Sequence, residues 1–128
     1  MQKKKAKKYA GLRDEQFSLV EHYARQHGIN SKFLLVFTWI YNNPEGITQE
    51  FICKRTYSSK QVIQSIVKNH MRKGWLYLEA IPNDKRRKLL RMTELGAKEI
   101  AALVEPLNIF EAKAMSALTK EQQKAFLE

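Results

Sequence analysis

The residues best suited to chemistry are cations that lie between two short apolar runs, 76–81 and 88–92. The polar segment between these runs, 82–87, reads Pro-Asn-Asp-Lys-Arg-Arg. Two apolar runs joined by a short segment with turn-forming residues are typical of a β-hairpin. We therefore predict a hairpin whose loop carries guanidinium and ammonium groups at its tip, and such groups bind phosphate oxygens.

A second set of polar side chains lies on the helix predicted for 59–73, which Gly74 closes. Apolar residues and His70 form one stripe at helical spacing. The opposite face is free of carboxylates, which favours nucleic-acid contact over a merely solvated face. Amides and hydroxyls pair with base edges, whereas Lys and Arg bind phosphates or guanine. We assign DNA contacts to Ser58, Ser59, Lys60, Gln61, Gln64, Ser65, Lys68 and Arg72.

The charge balance of the chain points to a polyanionic partner. The 128 residues include 23 Lys and Arg against 13 Asp and Glu, which gives a formal net charge of +10. Such an excess favours nucleic acid first and an anionic membrane surface second. The most apolar segment, 33–41, is too short to span a bilayer, and no apolar run follows the lysine-rich start, so we expect neither a membrane anchor nor a secretory signal. A single cysteine, Cys53, fits a reducing, cytoplasmic location without disulfides.

The elements that must position these residues are mostly helical. Residues 1–10 are predicted to be a flexible basic arm, either a solubilising tail or a source of phosphate contacts. A single domain follows over 11–128. Periodicity and caps predict helices at 12–27, 32–43, 48–56 and 59–73, then the hairpin, and then helices at 94–104, 107–118 and from 119 onward. Pro106 is expected to interrupt or kink the helical region around it.

The apolar faces of the first and last helices exceed what one small core can cover. This surplus favours an oligomer, most simply a two-fold dimer. A helix, a turn, a second helix and a basic hairpin, in this order, predict a winged helix-turn-helix. The fold class is therefore mostly α with a small β wing.

The wing resembles the signature of the MarR family of transcription regulators. That pattern has an Asp, an Arg two residues later, a strand and then Thr-x-x-Gly, and it is matched by Asp84, Arg86, Thr93 and Gly96. Two further segments are similar to the family pattern. They are the step from the helix to the wing at 72–76 and the entry to the helix-turn-helix at Ile47 and Thr48. The resemblance covers about 12–128. It implies a winged helix-turn-helix at about 32–93 and dimerisation helices at about 12–28 and 94–128.

The resemblance further implies a homodimer that binds a pseudo-palindromic operator in double-stranded DNA and represses transcription. A small ligand, metal or oxidant would be the effector that relieves repression. A narrow minor groove attracts an inserted Arg, and a nearby carboxylate can hold the guanidinium in place. We therefore expect Arg86 to read the groove and Asp84 to position it. Lys85, Arg87 and Lys88 would contact phosphates.

Sensing chemistry has weak support in the sequence. Cys53, next to two cations, is more simply a packed thiol than a redox sensor. The spacing of His22 and His27 does not place two metal ligands on one helix face, so no metal site is predicted. His70 is expected to be packed and hydrogen-bonded. Four aromatic residues are more simply core residues than the lining of a ligand pocket: Tyr23, Phe37, Trp39 and Tyr41.

The chain lacks a nucleophile motif and a phosphate-binding Gly loop, so we predict neither an enzyme nor a cofactor. The preferred hypothesis is a sequence-specific, double-stranded DNA-binding regulator of transcription that acts as a repressor. The alternative keeps the fold but changes the partner to RNA or to a protein in a replication or ribosome-linked complex.

Overall fold

The computed structural model describes residues 2–128, which form six α-helices and three β-strands. In chain order these are α1 (Gln2–Gln26), α2 (Ser31–Tyr41), β1 (Ile47–Thr48), α3 (Gln49–Thr56), α4 (Lys60–Arg72), β2 (Leu76–Ile81), β3 (Asp84–Met92), α5 (Glu94–Ser116) and α6 (Lys120–Leu127). The mostly helical class with a small sheet is thereby confirmed. None of these helices is both long and apolar enough to cross a membrane.

Five of the six helices begin at a side-chain cap that the sequence marks. In each case the side-chain oxygen accepts a hydrogen bond from a backbone N–H in the first turn, which satisfies a donor that the helix itself leaves unpaired. The caps are Asn30, Thr48, Ser59, Thr93 and Thr119. At the last of these, Gln122 Oε1 accepts a hydrogen bond from the Thr119 N–H, which completes a capping box.

The core is built around α2, as its nearly continuous apolar sequence predicts. Phe37 is fully buried and Ile40 is 1% exposed. Around them pack buried residues from α3, α4, β3 and α5, among them Ile52, Ile63, Leu90 and Ile100. The helix-turn-helix and the wing therefore rest on one shared core, which fixes their relative orientation.

The sheet has the order β1-β3-β2, and both pairings are antiparallel. In the hairpin, Leu76 pairs with Met92 and Leu78 with Leu90. The short strand β1 adds to the far edge of β3, where Ile47 pairs with Leu90. This strand was not predicted, because two residues are too few to show an alternating pattern.

The base of the wing touches the start of α5 through backbone atoms. The Thr93 N–H donates to Trp75 O at 2.9 Å, and the Thr93 hydroxyl accepts from the Gly96 N–H at 3.0 Å. A β-carbon on Gly96 would lie 1.8 Å from Trp75 O. The Thr-x-x-Gly spacing therefore has a steric reason: Thr caps the helix, and only Gly allows this approach.

Two boundaries differ from the predictions. The separate arm expected at 1–10 is helical over 2–10 and continuous with the predicted first helix, because its Lys, Gln and Ala residues favour helix; Met1 lies outside the described residues. Pro106 does not end a helix, since α5 continues through it. Contacts with α2 hold α5 on both sides of Pro106: Tyr41 donates to Glu105, and Asn108 donates to Asn42 at 3.0 Å.

Candidate nucleic-acid interface

The turn between α3 and α4 is held by a lysine from α2. Lys32 Nζ donates to Ser58 Oγ at 2.7 Å and to Thr56 O at 3.3 Å. The Thr56 hydroxyl, in a residue 6% exposed, lies 2.8 Å from Ser58 Oγ. Ser58 was predicted to contact DNA, but its hydroxyl lies within this internal network. No local sequence pattern indicated the Lys32 contact, because its two partners lie 24 and 26 residues further along the chain.

The outer face of α4 is polar and exposed, as predicted. The buried stripe is narrower than predicted: Ile63, Ile66, Val67 and His70 are buried, whereas Val62 is 43% exposed and Met71 37% exposed. The cap residue and six residues of α4 assigned to DNA are all exposed: Ser59, Lys60, Gln61, Gln64, Ser65, Lys68 and Arg72. Since α4 contains no carboxylate, no side chain of this helix would repel the phosphates of a nucleic acid.

His70 is packed and hydrogen-bonded, which confirms the prediction for it. It is 1% exposed, and its Nδ1 lies 2.7 Å from Ile66 O. Its ring meets those of Phe33 and Phe37 edge to face, at centroid distances of 5.4 and 4.8 Å. Burial lowers the pKa of His70 below its ordinary value of 6.5, so the neutral ring is the form that the core accepts.

The wing differs from the prediction at its tip. Strand β3 begins at Asp84, so the turn consists only of Pro82 and Asn83, and Asn83 adopts a φ of 64°. The cations predicted for the tip therefore lie on β3 itself. The pairing passes from Ala80↔Lys88 to Ile81↔Asp84, so that three extra residues of β3 bulge out of the ladder. This bulge contains Lys85, Arg86 and Arg87, all exposed.

Asp84 organises this bulge, but through a different arginine from the one predicted. Its Oδ2 accepts from Arg87 Nε at 2.8 Å. Its Oδ1 accepts from the backbone N–H groups of Arg86 at 3.0 Å and Arg87 at 3.1 Å. The expectation that Asp84 holds the Arg86 guanidinium is therefore wrong: Asp84 pairs with Arg87 and touches only the backbone of Arg86. These hydrogen bonds, chiefly those from Arg87, lower the pKa of the Asp84 carboxyl, and the side-chain bond to Asp84 raises the pKa of Arg87.

A groove of about 720 Å³ brings the helix-turn-helix and the wing together. Lys60 and Gln64 of α4 lie on one side of it. Strand β3 supplies Asp84, Arg86, Arg87 and Lys88, and the start of α3 supplies the remaining wall, Thr48, Gln49, Glu50 and Cys53. Four cations thus face two carboxylates, one of which is already paired with Arg87. The other predicted residues lie outside this groove: Ser58, Ser59, Gln61, Ser65, Lys68, Arg72 and Lys85.

Cys53 and His27, which were considered as sensing residues, both lie close to a backbone carbonyl oxygen. Cys53 is half-buried, with Sγ 4.0 Å from Ser59 O. His27 Nδ1 lies 2.9 Å from the backbone carbonyl of Tyr23. Over residues 2–128, no group of three His, Cys, Asp or Glu side chains is arranged to hold a metal.

The aromatic residues considered for a ligand pocket make packing contacts between elements. The Tyr23 hydroxyl donates to Leu103 O at 2.7 Å, so it links α1 to α5. Phe37 lies in the core, and the ring of Trp39 meets that of Phe51 edge to face at 5.7 Å. Tyr41 bonds to Glu105.

The comparisons with known proteins agree with this architecture. The sequence model of the MarR family matches residues 27–87, which include α2, the helix-turn-helix and the start of the wing. No curated protein sequence matches the chain.

Solved structures extend the likeness to nearly the whole chain. MepR of Staphylococcus aureus, crystallised in a DNA-binding conformation, is 20% identical with a TM-score of 0.79, over 94% of this chain and 89% of MepR. The transcription regulator MarR from Oenococcus oeni is 15% identical with a TM-score of 0.72, over 95% of this chain and 91% of that one. A complex of MepR with DNA is 21% identical with a TM-score of 0.65, over 92% and 86%. The chain is thus similar to the MarR family in sequence over its winged helix, and it shares the fold of these structures over nearly all of its length.

Proposed function

We propose that this protein is a transcription regulator that binds double-stranded DNA with sequence specificity as a homodimer. The observation that carries the proposal is the shared groove, in which α4 and the wing present Lys60, Arg86, Arg87 and Lys88 on one surface. A helix of this kind fits the major groove, and a basic wing beside it suits the backbone or the adjacent minor groove. The DNA strand that separates the two grooves would then pass between α4 and β3.

MepR, a relative that has been crystallised with DNA, supports this proposal, since its fold is similar. The net charge of +10 supplies the long-range attraction that such binding needs. In this arrangement Gln61, Gln64 and Ser65 would pair with base edges. Lys68, Arg72 and the wing lysines would bind phosphates, and Arg86 would read the minor groove.

The homodimer is supported by apolar side chains that the described chain leaves exposed on its terminal helices. Phe17 of α1 is 65% exposed, Phe110 of α5 is 70% exposed and Phe126 of α6 is 74% exposed. Large apolar residues in such numbers are normally covered by a partner. A two-fold dimer would cover both copies of each helix and place two copies of α4 on successive half-sites, roughly 34 Å apart.

Selection from a random double-stranded DNA library tests this proposal. We expect enrichment of a two-fold symmetric sequence, with an affinity that falls steeply as salt is raised. Salt-sensitive binding without duplex preference would instead favour the RNA-binding alternative. The absence of any binding to nucleic acid would contradict the proposal and favour a protein partner.

We also propose repression as the outcome of binding, because a dimer that occupies two grooves of a promoter excludes polymerase from that site. Transcription in vitro from a promoter that contains the selected sequence tests this step. Added protein should lower the transcript yield, and the same promoter with a scrambled site should be unaffected. An increase in yield would identify an activator.

A further inference from the structure

Tyr57 stands out in the turn between α3 and α4. Its side chain is 95% exposed, the highest value among the exposed large hydrophobic residues in the described part of the chain. Its backbone adopts φ 51° and ψ 44°, the left-handed helical region that a β-carbon disfavours. Gly or Asn would adopt this conformation more readily. Folding therefore gains nothing from a tyrosine here, since the ring buries almost no surface and its backbone is strained.

The turn nevertheless holds Tyr57 on a fixed platform. The backbone N–H groups of Tyr57 and Ser58 both donate to Cys53 O. On the other side, Lys32 bonds to Ser58 and Thr56, the residues that flank Tyr57. The ring thus projects from a turn whose backbone is tied to α2 and α3. Strain held in this way by surrounding contacts is characteristic of residues that serve a function.

The surroundings of Tyr57 suit the backbone of a nucleic acid. Lys54 and Arg55 lie in the last turn of α3, and Lys60 begins α4. Tyr57 comes two residues before Ser59, the cap of α4, and the first turn of a recognition helix is the part that approaches DNA most closely. A tyrosine hydroxyl is a common donor to phosphate oxygens, and its ring packs against a sugar without preference for any base.

We propose that Tyr57 is a DNA-backbone contact, with its hydroxyl donating a hydrogen bond to a phosphate oxygen beside the major groove. This inference rests on the proposed function. It adds a neutral contact to the cationic ones, so that Tyr57 contributes affinity but neither base preference nor counterion release.

The test compares Tyr57→Asn, Tyr57→Phe and Lys60→Ala on the selected duplex, with Tyr9→Phe on α1 as the control for loss of an exposed hydroxyl. Asn accepts the left-handed backbone, so Tyr57→Asn should keep or raise Tm. It should nevertheless weaken binding by roughly three- to tenfold. Tyr57→Phe should weaken binding as well. Neither variant should change the slope of log K against log salt, whereas Lys60→Ala should reduce it by about one.

Affinity of Tyr57→Asn equal to that of the unmodified protein would overturn the inference. Full affinity of Tyr57→Phe would likewise overturn the phosphate contact. A loss of affinity confined to the selected sequence, with binding to unrelated duplexes unchanged, would show base readout and also refute a backbone contact. In each case the unmodified protein still binds DNA, and so the proposed function stands. Failure of the unmodified protein to bind any duplex would refute that function instead, which keeps the two outcomes distinguishable.

Discussion

Asp84 and Arg87 form the ion pair that organises the wing, with Oδ2 and Nε 2.8 Å apart. Because the same carboxylate also accepts the backbone N–H of Arg86, one side chain sets both the turn and the bulge that follows it. Arg87 is thereby restrained, whereas Asp84 holds Arg86 only by its backbone. The two neighbouring arginines are therefore suited to different tasks: Arg87 to a fixed phosphate contact, and Arg86 to insertion into a groove.

Because Asp84 pairs with the side chain of Arg87 but not with that of Arg86, we expect mutations at the two arginines to couple differently to a mutation at Asp84. Arg86→Ala should weaken operator binding several-fold or more and lower the salt slope by about one. When it is combined with Asp84→Asn, the two effects on binding free energy should add within about 0.5 kcal/mol. The pair Asp84→Asn and Arg87→Ala should depart from additivity by more than that. Fluorescence anisotropy on all single and double variants measures both couplings, and equal couplings would contradict the assignment of Arg87 as the partner.

The sequence predicted the two strands of the wing, but not the bulge or the side-chain pairing at its tip. Alternating apolar residues and the turn signal placed both strands, because these patterns report burial along a hairpin. The bulge was not predictable, since it depends on which residue of β2 faces Asp84. Spacing alone led to Arg86 as the partner of Asp84, but side-chain direction in a bulge does not follow simple alternation.

In the helix-turn-helix, too, local features could be predicted from the sequence and long-range contacts could not. Its caps, Thr48 and Ser59, are local signals, and both were predicted. The Lys32 contact with Ser58 joins residues 26 positions apart, so no local pattern indicated that the Ser58 hydroxyl faces inward. The helical start of the chain was missed for another reason, since a run of lysines is compatible with both an arm and an exposed helix.

Lys32→Met should loosen the turn while keeping the apolar stem of the side chain. Loss of the two hydrogen bonds should lower the free energy of unfolding by about 1 kcal/mol. DNA binding should weaken because Tyr57 and Ser59 lose their fixed positions. Chemical denaturation and anisotropy measure the two effects. Lys3→Met removes the same charge from the exposed start of α1, and an equal loss of affinity in that control would show that only net charge matters.

His70 predicts a pH dependence of stability. Burial lowers the folded-state pKa below 6.5, so between the two pKa values the unfolded chain binds a proton that the folded chain does not. The stabilisation is therefore fully present above about pH 6.5 and is lost as the pH falls toward the folded-state pKa. His70→Leu has no such proton to bind and should lose less Tm between pH 7 and pH 5 than the unmodified protein. Thermal denaturation at both pH values decides this, and parallel losses would refute it.

Gly96→Ala should damage the junction between the wing and α5. The added β-carbon would meet Trp75 O at 1.8 Å, and since the obstacle is backbone, no side chain can rotate to relieve it. We expect a loss of about 3 kcal/mol or more in the free energy of unfolding. Gly11→Ala is the matched control, because nothing lies within 4 Å of its β-carbon in the interior of α1. It should stabilise the protein by about 0.5–1 kcal/mol, and a similar loss in both variants would contradict the steric explanation.

The exposed aromatic residues of the terminal helices predict which substitution should dissociate the proposed dimer. Phe110 is 70% exposed on α5, so a charge there is harmless to the folded monomer but would be buried without a partner in a dimer interface. Phe110→Glu should therefore sediment as a monomer with an unchanged circular dichroism spectrum. Its affinity for the two-fold site should fall toward that for a single half-site, because the second winged helix is no longer linked to the first. Lys113→Glu places the same carboxylate at an exposed polar position of α5. This control should remain dimeric, and a dimeric Phe110→Glu would place the interface elsewhere.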